Sequence, residues 1–320
     1  MDLFMKHSLV AVAVLACVSG SAFAQSAVTV YGRLNLSIER QTVGSGSSNW
    51  TLQNNASRFG LRGSEDLGGG MKAGFGLEAG FNAANGTTGT SFWGRQSEIN
   101  LSGGFGMVRL GNFISEAYFA TADYVSLHNH DTGTSSDALY AYIGRNTSKV
   151  AWRSPNFAGS TFEAAITEGG TLNRTTDLAW NYSAGPLQLG AGYEDNSPTN
   201  KRAKQFAVRG LYELGAFTFG GYVQRDTDGY GAGLGNRTTV RLSGMYAMGS
   251  GEFHLNVGRA GKYSNGVDNG PGDSANQYTL GYNYKLSKRT KVYGFVTKVA
   301  DSGSTYGDFR SLALGLRHNF

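Results

Sequence analysis

The chain has 320 residues, 40% of them hydrophobic, yet its mean hydropathy is negative and it carries only 4 prolines among 48 glycines. That balance excludes a helical membrane protein, which needs runs of ~20 apolar residues, and it excludes a disordered chain. The net charge of +5 is scattered rather than blocked, which argues against nucleic acid as a partner.

Residues 1–24 read as a targeting segment: Lys6 and His7, the apolar run Leu9–Val18, then Ala22-Phe23-Ala24 as a small-x-small cleavage site. The mature chain is expected to begin near Gln25. Cys17, the sole cysteine, lies inside that segment, so a thiolate metal site and a disulfide are excluded together. A lipidation signal around Cys17 fits less well, because the apolar run continues past it.

From there the chain alternates. In the first segment Val28, Val30, Leu34, Leu36 and Ile38 share one face, while Thr29, Tyr31, Arg33, Asn35, Ser37 and Glu39 share the other. Such alternation over about ten residues is the pattern of a strand with lipid on one side and water on the other. Strands follow near 55–63, 71–83, 92–102, 106–112, 147–154, 160–168, 176–183, 187–194, 203–213, 216–226, 237–248, 251–262, 275–286 and 290–300. The last segment alternates Leu312, Leu314, Leu316 and Phe320 with Ser311, Ala313, Gly315, Arg317 and Asn319. The sum is sixteen strands, an all-β, antiparallel transmembrane β-barrel of the size that encloses water.

Connections alternate in length as well. Glu65–Gly70, Gly103–Gly106, Ser154–Gly159, Ala184–Pro186, Gly249–Gly251 and Ser287–Thr290 are short and rich in turn formers. Long ones are expected at 41–54, 84–91, 113–146, 169–175, 195–202, 227–236, 263–274 and 301–308, which places short turns on the periplasmic side and long loops outside. The stretch 113–146 is the longest, and a connection of that length usually has a function. Folded inward it would narrow the lumen; folded outward it would be a surface loop.

Specific words of the sequence carry a resemblance. Ala27-Val-Thr-Val-Tyr-Gly32, Ser57-Arg-Phe-Gly-Leu-Arg-Gly-Ser-Glu-Asp-Leu-Gly-Gly-Gly70, Gly94-Arg-Gln96, Leu101-Ser-Gly-Gly-Phe-Gly106, Ser154-Pro-Asn-Phe-Ala-Gly159, Leu286-Ser-Lys-Arg-Thr290 and Gly315-Leu-Arg-His-Asn-Phe320 resemble the Gram-negative trimeric general diffusion porins of betaproteobacteria. The resemblance implies a homotrimer, a third external loop folded into the lumen, and a terminal Phe320 read by the barrel-insertion machinery. It further implies a pore constriction with basic wall residues facing acidic groups on that loop. The loop lacks a Pro-Glu-Phe segment found in better-known porins.

Carried over residue by residue, the basic candidates are Arg58 and Arg62, inward because Phe59 and Leu61 take the outward positions, and Arg145 at the end of the third loop. Glu78 faces inward beside outward Leu77. Arg95 of Gly-Arg-Gln is a further constriction candidate, although it shares the phase of outward Ile99 and Leu101 and points inward only if a bulge shifts the register. The acidic loop candidates are Glu116, Asp123, Asp131 and Asp137.

Other constellations weigh less. His128-Asn129-His130-Asp131 places imidazole and carboxylate ligands together, but a solvated loop explains it and no metal or other cofactor is expected. Glycines 229, 231, 233 and 235 imitate a nucleotide fingerprint without the βαβ unit it requires. The expected function is passive diffusion of ions and small hydrophilic solutes across the outer membrane, with a weak anion preference suggested by the net charge. A barrel enzyme would need fewer strands and a catalytic rim. A substrate-specific channel or adhesin would show itself by an aromatic track in the lumen or by its external loops, whereas most of the aromatics here fall on the outward phase.

Overall fold

The computed structural model describes residues 27–123, 138–144, 146–168, 174–196, 203–301 and 307–320. In chain order the strands are β1 (Ala27–Val43), β2 (Asn49–Asn54), β3 (Arg58–Gly68), β4 (Met71–Gly80), β5 (Gln96–Gly103) and β6 (Gly106–Asn112). A short helix, α1 (Glu116–Thr121), precedes β7 (Lys149–Arg153), β8 (Ser160–Thr167), β9 (Thr176–Ala184), β10 (Leu187–Asp195) and β11 (Lys204–Leu214). The barrel continues through β12 (Phe217–Thr227), β13 (Asn236–Met248), β14 (Gly251–Ala260), β15 (Ala275–Lys285), β16 (Thr290–Asp301) and β17 (Phe309–Asn319). Every strand pairs antiparallel with its neighbours, and β1 closes the sheet by pairing with β17 as well as with β2 and β3. Closure leaves no free edge in the hydrocarbon, which is what permits a sheet to cross a bilayer.

β2 and β3 are two halves of one crossing strand, so seventeen labelled strands make sixteen crossings. Both halves pair with β1, but Arg33 faces Arg58 while Leu36 faces Asn54, so three residues on one side oppose two on the other. This is a β-bulge, with Ala56 in the left-handed region at φ 53°. The Asn35 amide donates to Ser57 Oγ at 3.0 Å, and the Asn55 amide donates to the Asn35 carbonyl at 2.8 Å. Asn55 Nδ2 donates to the Tyr293 hydroxyl at 2.9 Å, which in turn donates to Asn35 Oδ1 at 2.8 Å. The extra residue inverts the alternation. Leu52 is outward before it, yet Phe59 and Leu61 take the outward phase after it, which turns Arg58 and Arg62 inward.

This corrects the expected boundaries at two places. The strand expected near 55–63 runs from Asn49 to Gly68 across the bulge, and the first long loop, expected over 41–54, shrinks to 44–48 because β1 extends to Val43. A deletion of Ala56 is expected to force Phe59 and Leu61 inward and to turn two arginines to lipid, at about 2–4 kcal/mol for each near the bilayer centre. The folded, heat-modifiable species should vanish from an unheated gel; a deletion variant that still migrates as a folded barrel would refute the register argument.

The outer face is a band of exposed apolar side chains, among them Val30, Ile38, Leu110, Val150, Leu178, Val208, Leu242, Leu255, Leu280 and Leu314. The inner face buries Asn35, Glu39, Gln205, Gln224, Asn256, Gln277 and Asn283, the inverse of a soluble protein and what an apolar solvent demands.

Candidate functional site

The site is assembled from inward positions of β3 to β8 and from the two described ends of the long connection between β6 and β7. On β4, Glu78 sits across the strand pair from Gly60 and receives two arginines. Arg95 Nε donates to Glu78 Oε1 at 2.6 Å, and Arg58 Nε lies 3.7 Å from the same oxygen. Arg95 does not follow the phase of Ile99 and Leu101, because β5 begins only at Gln96 and the turn at Ser91–Gly94 frees the residue before it to swing inward. Arg95, a constriction candidate whose phase with Ile99 and Leu101 pointed outward, thus faces inward because the strand expected over 92–102 begins only at Gln96.

A second charged row alternates in sign through five elements. Glu98 on β5 meets Arg109 on β6 at 2.7 Å, Arg109 meets Glu163 on β8 at 3.4 Å, and Glu163 meets Arg153 on β7 at 2.8 Å. Arg153 ends the row on Glu116, the first residue of α1. The Arg109 guanidinium also lies 4.0 Å from the centre of the Phe113 ring. A third connection joins Lys149 to Asp177 at 2.9 Å, and the Ser115 hydroxyl donates to the same carboxylate at 2.7 Å. Ser115 is also the N-cap of α1, accepting from the Tyr118 amide.

α1 packs on β9, β10 and β11. Gly190 and Gly192, on the inward phase of β10, let it approach. A Cβ at Gly192 would stand 2.6 Å from the Ala117 carbonyl, and one at Gly190 would overlap the Ala120 carbonyl. The returning limb is held by its backbone: Gln224 on β12 accepts from the Ala141 amide at 2.8 Å and donates to its carbonyl at 3.0 Å, and Asn196 donates to the Ile143 carbonyl at 2.9 Å. Leu139 packs with Ala260, Ala275 and Val299 of β14, β15 and β16.

Between wall and helix lies a cavity of about 380 Å³ whose lining includes Arg58, Glu78, Arg95, Arg109, Tyr118, Phe119 and Asp123. Four of the residues expected at the constriction therefore meet: Arg58, Glu78, Arg95 and Asp123. Arg62 stands apart, its guanidinium 5.1 Å from the Tyr31 ring centre. Glu116 is bound to Arg153 and to Asn181, whose Nδ2 donates at 3.1 Å, rather than lining the cavity. Arg145, Asp131 and Asp137, with the His128–Asp131 segment, lie outside the described residues. Sequence reasoning missed Arg109, Lys149, Arg153 and Asp177. The signal was available: Arg109 lies between outward Val108 and Leu110, and Lys149 and Arg153 alternate with outward Val150 and Trp152. The inner face also carries more aromatic surface than expected, since Tyr118 packs at 5.8 Å from Tyr140 and Tyr140 at 5.5 Å from Tyr222.

Burial pushes the Glu116 carboxyl up to about 6, against the opposing pull of Arg153. The folded chain therefore holds this proton more tightly than the unfolded chain does. The associated stability is fully present below the ordinary carboxylate range near 4.5 and is lost as pH rises through about 6. Acidification from pH 7 to 5 is expected to remove one negative charge beside Arg153 and to raise anion preference, with a midpoint near 6. Reversal potentials measured across that range should show the step in the native chain and not in Glu116→Gln; a step persisting in the variant would assign it to another group.

The sequence profile of the Gram-negative porin family matches residues 11–304. Outer membrane porin protein 32 of Delftia acidovorans is 31% identical over 91% of this chain and 88% of its own length. An outer membrane porin protein of Bordetella pertussis is 28% identical over 99% of this chain and its entire length. Among solved structures, the anion-selective porin from Comamonas acidovorans superposes with a TM-score of 0.73 at 23% identity, covering 92% of this chain and 100% of its own. A trimer form of the outer membrane protein OmpT of Vibrio cholerae superposes with a TM-score of 0.68 at 14% identity, over 92% of this chain and 99% of its own. The closed barrel with its lipid-facing band and polar interior, and the match over nearly the whole chain, identify this protein as a member of the Gram-negative porins of the outer membrane.

Proposed function

We propose that the barrel is a water-filled channel for passive diffusion of ions and small hydrophilic solutes with a weak anion preference, and that the third external loop lies within the lumen as its constriction. The observation that carries the reading is the cavity in which Arg58, Arg95 and Arg109 face Tyr118, Phe119 and Asp123 of the loop. Opposed charges across a narrow aqueous passage set a transverse field that orients dipolar solutes and selects by sign. No bond is made or broken by such a site, so the reading is a channel and not an enzyme. The packing of α1 on inward Gly190 and Gly192 supports the loop's place, and the anion selectivity of the Comamonas acidovorans porin supports the sign.

The reading extends to a homotrimer formed after removal of residues 1–24, inserted through recognition of Phe320 and surrounded by outer-membrane lipid. A substrate-specific channel is the second reading, favoured by the aromatic flank of Tyr118 and Phe119. The test is reconstitution of the mature protein in a planar bilayer under a KCl gradient. Stepwise ohmic conductance, arriving in threes and reversing on the anion side, is expected. Silent membranes with correctly inserted protein would overturn the diffusion reading, and saturating conductance with one solute class would favour the specific one.

A further inference from the structure

The connection from β4 to β5 is fastened at both of its ends by asparagines of other strands. Asn54 on β2 donates to the Phe81 carbonyl at 3.0 Å and accepts from the Ala83 amide at 3.2 Å. Asn112 on β6 donates to the carbonyls of Trp93 and Gly94 at 3.3 and 3.1 Å. Between these anchors the segment ties itself, with the Asn82 amide on the Thr87 carbonyl and the Gly86 amide on the Asn82 carbonyl, each at 2.7 Å. A connection held in this way is preorganised, so a guest bound against it costs little ordering of the chain.

This segment and the wall border a cavity of about 900 Å³ at the long-connection end of the barrel. Ala56 and Arg95 line both it and the smaller constriction cavity, so the two spaces adjoin. A solute arriving from outside meets the larger space first and then passes Arg95. The chemistry of the two differs. Arg95 is the only charged residue in the described lining of the larger one, and Glu78 already holds that guanidinium at 2.6 Å. An ion therefore finds little net charge there.

The remaining polar lining is uncharged. The hydroxyls of Thr88, Thr90, Ser91 and Ser97 make no hydrogen bond among the described residues, and each can both donate and accept. Asn112 spends its Nδ2 on the backbone of residues 93 and 94, which leaves its Oδ1 buried with no partner. An O–H donor from a guest satisfies such an acceptor, and a guest without one leaves it orphaned. Trp93 adds an aromatic side, its ring centre 5.8 Å from that of Phe59 and 4.7 Å from that of Phe92, which brace it. A ligand matched to all of these is uncharged, carries many hydroxyls and has an apolar C–H face.

We infer that this cavity is an entry-side binding site for an uncharged saccharide, with its hydroxyls on Thr88, Thr90, Ser91, Ser97 and Asn112 and its C–H face toward Trp93. Resting on the diffusion reading, the site serves a guest in transit, and its binding is weak enough to release that guest toward Arg95.

The test titrates the folded mature protein in detergent with maltose and reads saturation-transfer NMR on the sugar protons. Saturation at about 1 mM is expected, with no saturable signal from a poly(ethylene glycol) of the same hydrodynamic size, which fills space but lacks the hydroxyls. The Thr88→Val, Thr90→Val double variant removes two hydroxyls at nearly constant shape and should bind maltose roughly tenfold more weakly, while still migrating as a folded band on an unheated gel. Absence of saturation with maltose, or equal affinity of the folded variant, would overturn the assignment. Tighter binding of maltobionate, the same disaccharide bearing a carboxylate, would give the cavity to anions and overturn it as well. Conductance in KCl is read in parallel: stepwise current without maltose binding removes the saccharide site and leaves the channel, whereas maltose binding to a silent protein refutes the diffusion reading and leaves the site.

Discussion

Replacing Arg58 and Arg95 together by alanine is expected to convert an anion-preferring conductance into a cation-preferring one. Both guanidinium groups converge on Glu78, so their loss removes two positive charges and exposes a carboxylate that they neutralise. A unit charge about 5 Å away shifts a monovalent ion by about 0.8 kcal/mol even in a water-like medium. Two such groups act on anions and cations with opposite sign, so the anion-to-cation permeability ratio should fall by roughly tenfold or more. The reversal potential under a KCl gradient reads this directly, and the shift should shrink at high ionic strength. Glu78→Gln should move it the other way. A double variant with unchanged reversal potential would remove the cavity from the selectivity filter.

Lys149→Met is expected to give the largest loss of stability. Its side chain is 1% exposed and pairs with Asp177, which also receives Ser115 at the start of α1. Removing the ammonium strands a buried carboxylate, at a cost of about 3–5 kcal/mol. The temperature at which the folded band unfolds on a gel should drop, and open-channel current should become noisier as α1 loses its anchor. Asp177→Asn in the Lys149→Met background should recover most of the loss, since it removes the stranded charge. If the double variant is as unstable as the single one, the defect lies in packing rather than in charge.

Much of the barrel could be read from alternation alone. β1 and β17 show it without interruption, so their inward residues Arg33, Asn35, Glu39 and Arg317 could be assigned before any fold was known. What alternation cannot show is a change of phase. Asn55-Ala56-Ser57 contains nothing that announces a bulge, because its polar and small residues suit either face, and the evidence for it lies in the partners Asn35 and Tyr293, distant in sequence. The phase of Arg95 was ambiguous for a related reason: the strand expected over 92–102 begins only at Gln96, so parity does not reach Arg95. The row from Glu98 to Glu116 was illegible as a row, since it depends on which strands become neighbours in the closed sheet, although the inward phase of its strand members Glu98, Arg109, Arg153 and Glu163 was there to be read.

The described ends of the long connection are fastened to different arcs of the wall: α1 lies on β9 to β11, while Leu139 is seated on β14 to β16. Mechanically these two contacts brace the wall from inside at two separate arcs. A closed sheet of this girth is soft toward ovalisation under lateral membrane pressure, and packing against its inner face at two arcs stiffens it there. Squeezing the wall at β9 to β11 would therefore shift α1, and with it Tyr118 and Phe119 of the cavity lining.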